Sequence, residues 1–276
     1  ALLEAAIAAG AVFRQSSVEG LLFTDGPRQR VVGAATAHGD VRAPVVVGAD
    51  GATSIVARSL GVSRLPERAR SLAIRGYVEI DGGDAELLLH FFSEAQPAYG
   101  WFFPCGDGLA NVGVFLRRST YARRHRPLRA LLGDYLGRPD VRRRIRGRAP
   151  LEVASWQLPL FDRGRPRVFP GALLVGDAGG FINPFTGAGI YEAMATGRAA
   201  AATILDAAAR GDLGCRGLAP YNAAWEAELG RSLIFGALAQ EGLTRAPWAM
   251  ELAFPAAGAL TPLTRVLSHW MFSTRR

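Results

Sequence analysis

"LLVGDAGGFINPFTGAGI", residues 173–190, is the stretch on which the reading of the whole chain turns. An apolar run of strand length ends in Gly176-Asp177, and Gly179, Gly180, Gly187 and Gly189 follow within it. Glycine loses more backbone freedom on folding than any other residue, so five together need a local reason: positive φ angles, or a ligand lying against bare backbone. The apolar run predicts a buried strand that delivers Asp177 just past its end. A carboxylate there can accept from a sugar-alcohol hydroxyl. Pro184 stiffens the middle of the loop. Gly187 and Gly189, on either side of Ala188, then bring bare N–H groups to the start of a helix, where the dipole favours partial negative charge. A reduced flavin, with its anionic N1–C2 carbonyl edge, has that need. The loop is too long and glycine-rich for an economical connector.

The helix predicted over residues 190–210 carries Ile190, Met194, Gly197, Ala201, Ile204 and Ala208 on one face, with Gly211 as its C-cap. That face is expected to pack on the protein body. The same grammar of strand, glycine turn and helix occupies residues 45–61. Val45–Val47 reads as a strand buried on both faces of a parallel sheet, followed by "GADGATS" and a short helix stopped by Gly61. A glycine turn at the carboxyl edge of such a sheet, here Gly48 and Gly51, leaves N–H groups for an anion. Asp50 could bond a hydroxyl or simply hold the turn, and Ser54 could cap the helix.

The chain between these two units has another texture. "SLAIRGYVEIDGG", "AELLLHFF", "YGWFFPCGDGLANVGVFL" and "LEVASWQLPLF" alternate or run apolar at strand lengths, with one helix near Leu128–Leu136. This predicts a mostly antiparallel sheet inserted into an α/β domain. Alternation puts Tyr99, Trp101 and Phe103 on one strand face, ahead of Pro104: a flat aromatic wall for an apolar substrate, or an ordinary core strand.

Composition narrows the alternatives. The 276 residues carry a net charge of +8, and all 32 basic residues are arginine. The cluster at Arg142, Arg143, Arg144, Arg146 and Arg148 lacks interleaved aromatics, so it reads as a solvated helix end and loop and not as a nucleic-acid site. Cys105 and Cys215 form no CxxC pair, and the four histidines fit no metal motif, so no metal is expected. No apolar run is long enough to span a bilayer, and a cytoplasmic location is the default. Leu263, Val266, Leu267 and Trp270 form a stripe near the C-terminus that would suit a peripheral membrane contact or packing on the body. The chain starts at Ala1 inside a helical pattern without a capping residue, which predicts a longer parent protein.

"VVVGADGATSIVARSLG" and "LLVGDAGGFINPFTGAGIYEA" together resemble the second and third fingerprints of the para-hydroxybenzoate hydroxylase-like flavoproteins. The resemblance implies an α/β fold: a partial Rossmann-like FAD-binding domain (1–63 and 161–212), an inserted antiparallel β-sheet substrate domain (64–160) and C-terminal helices (213–276). It implies FAD contacts at Gly48, Asp50, Gly51, Ser54, Gly176, Asp177, Pro184, Gly187, Ala188 and Gly189, with NAD(P)H as reductant. The family's GxGxxG unit has no counterpart; "GDGLANVG" lies between two strands, where no helix can complete a phosphate cradle. Without that unit the segment alone is expected to bind FAD poorly and to be inactive. "NPFTGAG" and "AYGWFFP" resemble the geranylgeranyl reductase family, which implies that Tyr99, Trp101, Phe103 and Pro104 line a substrate cavity. Ala188 departs from the acid usual in that loop. The implied activity is FAD-dependent reduction of a carbon–carbon double bond in an isoprenoid or similar apolar substrate, such as a prenyl lipid, with Tyr99 and His90 as candidate proton donors. The alternative is a flavin monooxygenase or halogenase on an aromatic or polyketide-like substrate. Halogenases carry a Trp-x-Trp-x-Ile-Pro strand, and Tyr99 stands in place of its first Trp.

Overall fold

The computed structural model describes residues 1–26, 29–62, 64–81, 86–92, 98–147 and 149–246. The expected C-terminal stripe and Arg148 lie outside them. Helix α1 (Leu2–Ala8) has no side-chain cap and ends in a turn at Gly10. Strands β1 (Val18–Phe23), β2 (Val31–Thr36) and β3 (Val41–Arg42) form a small antiparallel sheet, with the turn into β3 at Gly39, where φ is +103°. Strand β4 (Val46–Gly48) and helix α2 (Ile55–Ser59) complete the first unit.

The inserted sheet follows. Its strands are β5 (Arg70–Glu79), β6 (Leu88–Phe91), β7 (Ala98–Gly106) and β8 (Leu109–Arg117). Helices α3 (Arg118–Arg124), α4 (Leu128–Leu136) and α5 (Pro139–Arg142) come next, and β9 (Leu151–Pro159) closes the insert. The sheet is antiparallel in the order β6-β7-β8-β5-β9, as the strand-length alternation predicted. One face buries Phe102, Val112, Val114 and Ile74 against Leu131, Leu132 and Tyr135 of α4. The other face carries Tyr99, Trp101 and Phe115 toward Leu160 and Ile182 of the α/β unit.

The chain returns through β10 (Val168–Phe169) to β11 (Ala172–Leu174), which pairs parallel with β4. A one-turn helix α6 (Gly176–Gly179) follows, then α7 (Ile190–Ala209), α8 (Cys215–Leu218) and α9 (Pro220–Arg245). Leu173 and Val175 share one core with Ala195, Ala200 and Ala207 of α7 and Trp225, Leu229 and Leu233 of α9. The last helix is therefore built into the α/β unit.

Two packing expectations are corrected. β11 is buried throughout, but Val47 of β4 is 39% exposed: among the described residues β4 pairs on one side only, which leaves that side chain partly open to solvent. Helix α7 buries Glu192, Ala195, Thr196, Ala200, Thr203 and Ala207, whereas Ile190 and Met194 of the expected stripe are 82% and 55% exposed. Small residues win the inner face because α7 runs close to α6; a Cβ on Gly176 would lie 3.1 Å from the Ala193 Cβ.

Candidate functional site

Strands β4 and β11 end at one edge, and the loops at 49–54 and 176–189 leave from it side by side. Val175 N–H donates to Gly48 O at 3.0 Å across that edge. Ligands of open α/β sheets sit beyond the carboxyl ends of such strands. The first loop is spent largely on its own helix. Asp50 Oδ2 accepts from the N–H groups of Ile55 (2.7 Å) and Val56 (3.1 Å), and Ser54 Oγ donates to Asp50 Oδ1 while accepting from Ala57 N–H. Asp50 and Ser54 together satisfy the open N-terminus of α2. Gly48 is a packing glycine, since a Cβ there would lie 2.6 Å from Leu174 Cδ2. Gly51 sits at φ +77° with open space around it.

The second loop leaves its polar groups open. Asp177 follows β11 as predicted, on the single turn of α6. Its carboxylate accepts no hydrogen bond among the described residues, and burial pushes its pKa up. Asp177 Oδ1 lies 3.5 Å from where a Cβ on Gly189 would stand, so the acid faces the uncapped start of α7. Beside it is Glu192, which no motif signalled. Its Oε2 is buried without a partner, and burial, then the Asp177 charge, raises its pKa. Two half-desolvated carboxyl groups, an uncapped helix start and a Gly189 with no Cβ form a cradle for a polyol joined to an electron-rich ring edge. These residues fit the ribityl chain and ring of FAD.

The rest of the loop is fixed by a residue the sequence reading passed over. Asn183, 4% exposed, accepts at Oδ1 from Phe185 N–H (3.0 Å) and Thr186 N–H (3.2 Å) and donates from Nδ2 to Ser232 Oγ (3.0 Å) on α9. The "NPFTG" string is an Asx-turn signal that could have found it. Gln240 of α9 donates to Pro184 O at 2.7 Å. Gly187 donates to Asn183 O at 2.9 Å and Ala188 to Thr186 Oγ1 at 3.2 Å, so the N–H groups left open are those from Gly189 onward. Gly187 is needed for another reason: at φ +69°, a Cβ would lie 2.6 Å from Tyr99 Oη.

That contact joins the inserted sheet to the loop. Tyr99 Oη donates to Thr186 O at 2.6 Å, its ring stacks on Phe115 at 5.0 Å, and burial raises its pKa well above the ordinary phenol value. Trp101 lies across Gly113 of the neighbouring strand and donates Nε1–H to Asn111 Oδ1 at 2.7 Å. Phe103 and Pro104 continue the strand toward the β7–β8 turn; at strand rise, Phe103 is about 13 Å from Tyr99. Tyr99 and Trp101 therefore meet the loop region, and Phe103 and Pro104 form the far end of the wall.

His90 belongs elsewhere. Leu89 and Phe91 pair with Trp101 and Tyr99, whereas His90 pairs with Gly100 and faces α4 and α5 on the opposite side of the sheet. Its Nε2 lies 2.6 Å from Asp140 Oδ2 and its Nδ1 3.0 Å from Tyr135 Oη. Neutral imidazole donating to Asp140 and accepting from Tyr135 satisfies all three groups. Burial lowers the His90 pKa below 6.5, outweighing the pull of Asp140. The unfolded chain then binds the extra proton, so this stabilisation is full above pH 6.5 and is lost as pH falls through the lower folded value. His90→Gln should flatten the fall in melting temperature as pH drops below 6.5; an unchanged slope would rule this linkage out.

Residues 1–227 match the FAD binding domain family. Two similar proteins are digeranylgeranylglycerophospholipid reductases: that of Methanocella arvoryzae is 32% identical over 83% of this chain and 58% of its own length. The one from Methanothrix thermoacetophila is 32% identical over 70% and 49%. The chain thus spans about half the length of these relatives. A geranylgeranyl bacteriochlorophyll reductase-like structure from Thermoplasma acidophilum superposes with a TM-score of 0.78 at 27% identity, covering 88% of this chain and 61% of its own. The flavin-dependent halogenase CmlS shares the fold alone, at 23% identity and a TM-score of 0.65 over 82% of this chain and 42% of its own. With its strand-end acid, uncapped helix start and aromatic wall in one place, the chain belongs to the FAD binding domain family and, within it, is similar to the geranylgeranyl reductases.

Proposed function

We propose that the protein carrying this chain reduces a carbon–carbon double bond of an isoprenoid-like, apolar substrate, a prenyl lipid being the fitting class. The Tyr99–Thr186 bond carries the reading, because it fixes the aromatic wall against the loop that follows the strand-end acid. Bound FAD supplies hydride chemistry, with NAD(P)H as the proposed electron source. The chain's own residues bind and orient. Asp177 and the N–H groups from Gly189 onward hold the cofactor, Glu192 supports Asp177, and Trp101, backed by the stacked Tyr99 and buried Phe115, gives the substrate a dry, flat surface. Tyr99 keeps its proton, spent on Thr186 O, so its role is to hold the wall in place. No described helix is long and apolar enough to cross a membrane.

Incubation under anaerobic conditions with FAD, a nicotinamide reductant and a polyprenyl substrate should yield a product heavier by two hydrogens per reduced bond. A product that needs oxygen, or gains oxygen or halogen, would overturn the reading in favour of the monooxygenase–halogenase class. Asp177→Ala should lower FAD affinity by about 10- to 100-fold, the worth of a hydrogen bond to a charged group. Asp50→Ala should instead lower the melting temperature, because it uncaps α2. The flavin-to-protein absorbance ratio and a melt separate the two.

A further inference from the structure

Helix α9 changes character where it crosses the cofactor loop. Its buried face runs through Tyr221, Trp225, Leu229 and Leu233, then turns to Gly236 and Gln240. Ser232, Gly236, Gln240 and Thr244 follow at four-residue spacing, so they share one stripe of the helix. A core helix that takes a glycine and an amide in place of hydrophobic side chains gives up burial, and a buried amide costs free energy unless its polar atoms are bonded.

The stripe is spent on the loop at residues 183–185. Gly236 lets the helix backbone rest on Asn183: a Cβ there would lie 2.5 Å from Asn183 Oδ1 and 3.1 Å from its Cγ. Ser232 Oγ accepts from Asn183 Nδ2. Gln240 Nε2 donates to Pro184 O at 2.7 Å, while the N–H of the same peptide, on Phe185, donates to Asn183 Oδ1 at 3.0 Å. The Pro184–Phe185 peptide is thus held at both polar ends, one by α9 directly and the other by an asparagine that α9 seats. The crevice that Gln240 shares with Phe91, Phe115, Phe185 and Leu243 holds only about 10 Å³, the least that takes one water, so solvent has little room to replace the amide. One turn on, Thr244 Oγ1 donates to Gln240 O at 2.7 Å and accepts from Arg117 at 2.6 Å. The other terminal nitrogen of Arg117 donates to Arg68 O at 2.6 Å, just ahead of β5. The helix that holds the loop is therefore tied to the inserted sheet.

We propose that Gln240 is a positioning residue for the flavin: by fixing the Pro184–Phe185 peptide from α9, it sets where the loop between Asp177 and Gly189 stands against the cofactor. The inference rests on the flavin site of the reading above and is indifferent to the substrate that the flavin serves.

FAD titration of the whole protein that carries this chain, stripped of flavin and followed by flavin fluorescence and visible circular dichroism, tests it. Gln240→Met keeps the volume and loses the donor, so Pro184 O goes unmet. FAD should then bind about tenfold more weakly at every pH, with altered dichroism of the bound flavin. Gln240→Glu is the rescue, because a protonated glutamic acid donates to Pro184 O and a glutamate does not. Burial holds that proton on above the ordinary carboxyl range, so this variant should match the parent within about twofold near pH 5 and fall to the methionine variant's affinity by about pH 8. The parent measured at the same pH values removes the contributions of Asp177 and Glu192, whose pKa values burial raises in the same site. A loss of general stability would lower melting temperatures and leave the flavin signals of the folded protein unchanged. Gly236→Ala, which favours helix, decides the matter where the Gln240 variants fail to fold: by displacing Asn183 it should alter the flavin dichroism in the same sense. Flavin signals equal to the parent's in Gln240→Met or Gly236→Ala, or no pH-dependent split in Gln240→Glu, would overturn the proposal alone. A parent that binds no FAD would overturn the flavin site and the proposal with it.

Discussion

Replacing Arg167 with alanine should lower the stability of the fold by about 3 kcal/mol or more, the sum expected when several buried acceptors lose their donor. Arg167 is 3% exposed, and its guanidinium is surrounded by four carbonyls and three rings. Nε donates to Gly179 O at 3.0 Å, one terminal nitrogen to Arg165 O at 2.9 Å, and the other to Asp162 O at 3.0 Å and Gly180 O at 3.2 Å. The Phe181, Phe161 and Trp225 rings lie 4.4, 5.0 and 5.1 Å from its central carbon. Burial lowers its pKa to about 10, so it stays charged at neutral pH. Gly179 and Gly180 end the turn that carries Asp177, which means Arg167 anchors the site's acid from behind. In a protein of this size the loss corresponds to a melting temperature lower by about 6–12 °C. Arg167→Met, which keeps volume and removes donors, should fall nearly as far, while Arg167→Lys should lie between. A melt for Arg167→Ala within about 2 °C of the parent would show the carbonyls finding other donors.

What the sequence disclosed follows from which interactions are local. The β11 strand, the position of Asp177 and the α7 boundaries were readable because an apolar run, a glycine turn and a C-cap at Gly211 are neighbours along the chain. The buried face of α7 was not. Alanine and threonine lie all round that helix, so hydrophobic contrast favoured Ile190 and Met194, whereas closeness to α6 selects for small size. Arg167 was lost among 32 arginines, because its aromatic partners stand at 161, 181 and 225. Asp50 read equally as a ligand or a cap, and its three bonds at the start of α2 identify the cap. Strand alternation placed Tyr99, Trp101 and Phe103 on one face; only the register against β6 placed His90 on the other. Glu192 had no signal at all, since a glutamate in the first turn of a helix is ordinary in any exposed setting.

Gly113→Ala should remove the flat wall while leaving the flavin cradle intact. A Cβ at this position would stand 2.2 Å from Trp101 Cζ2, 2.3 Å from Cη2 and 2.4 Å from Ile74 O. The indole is a movable neighbour, but the Ile74 carbonyl belongs to β5, which is paired on both sides, so the sheet itself must give. Overpacking of a filled site costs about 1–3 kcal/mol, and a clash with both an indole and backbone points to the upper end. The relief available is for the indole to swing off the sheet, breaking its bond to Asn111 and standing where the substrate would lie. Near-ultraviolet circular dichroism should therefore lose intensity from Trp101, and KM for an apolar substrate should rise at least tenfold, about 1.4 kcal/mol. FAD affinity should not move, because Asp177 and Gly189 lie on other elements. The double variant Gly113→Ala/Trp101→Leu separates the clash from any general weakening of β8. A shorter side chain leaves room for the new methyl, so the double variant should melt above Gly113→Ala alone, the signature of two residues sharing one space. Additive losses would mean that the indole never occupied the hollow above Gly113, and Trp101 would then drop out of the wall.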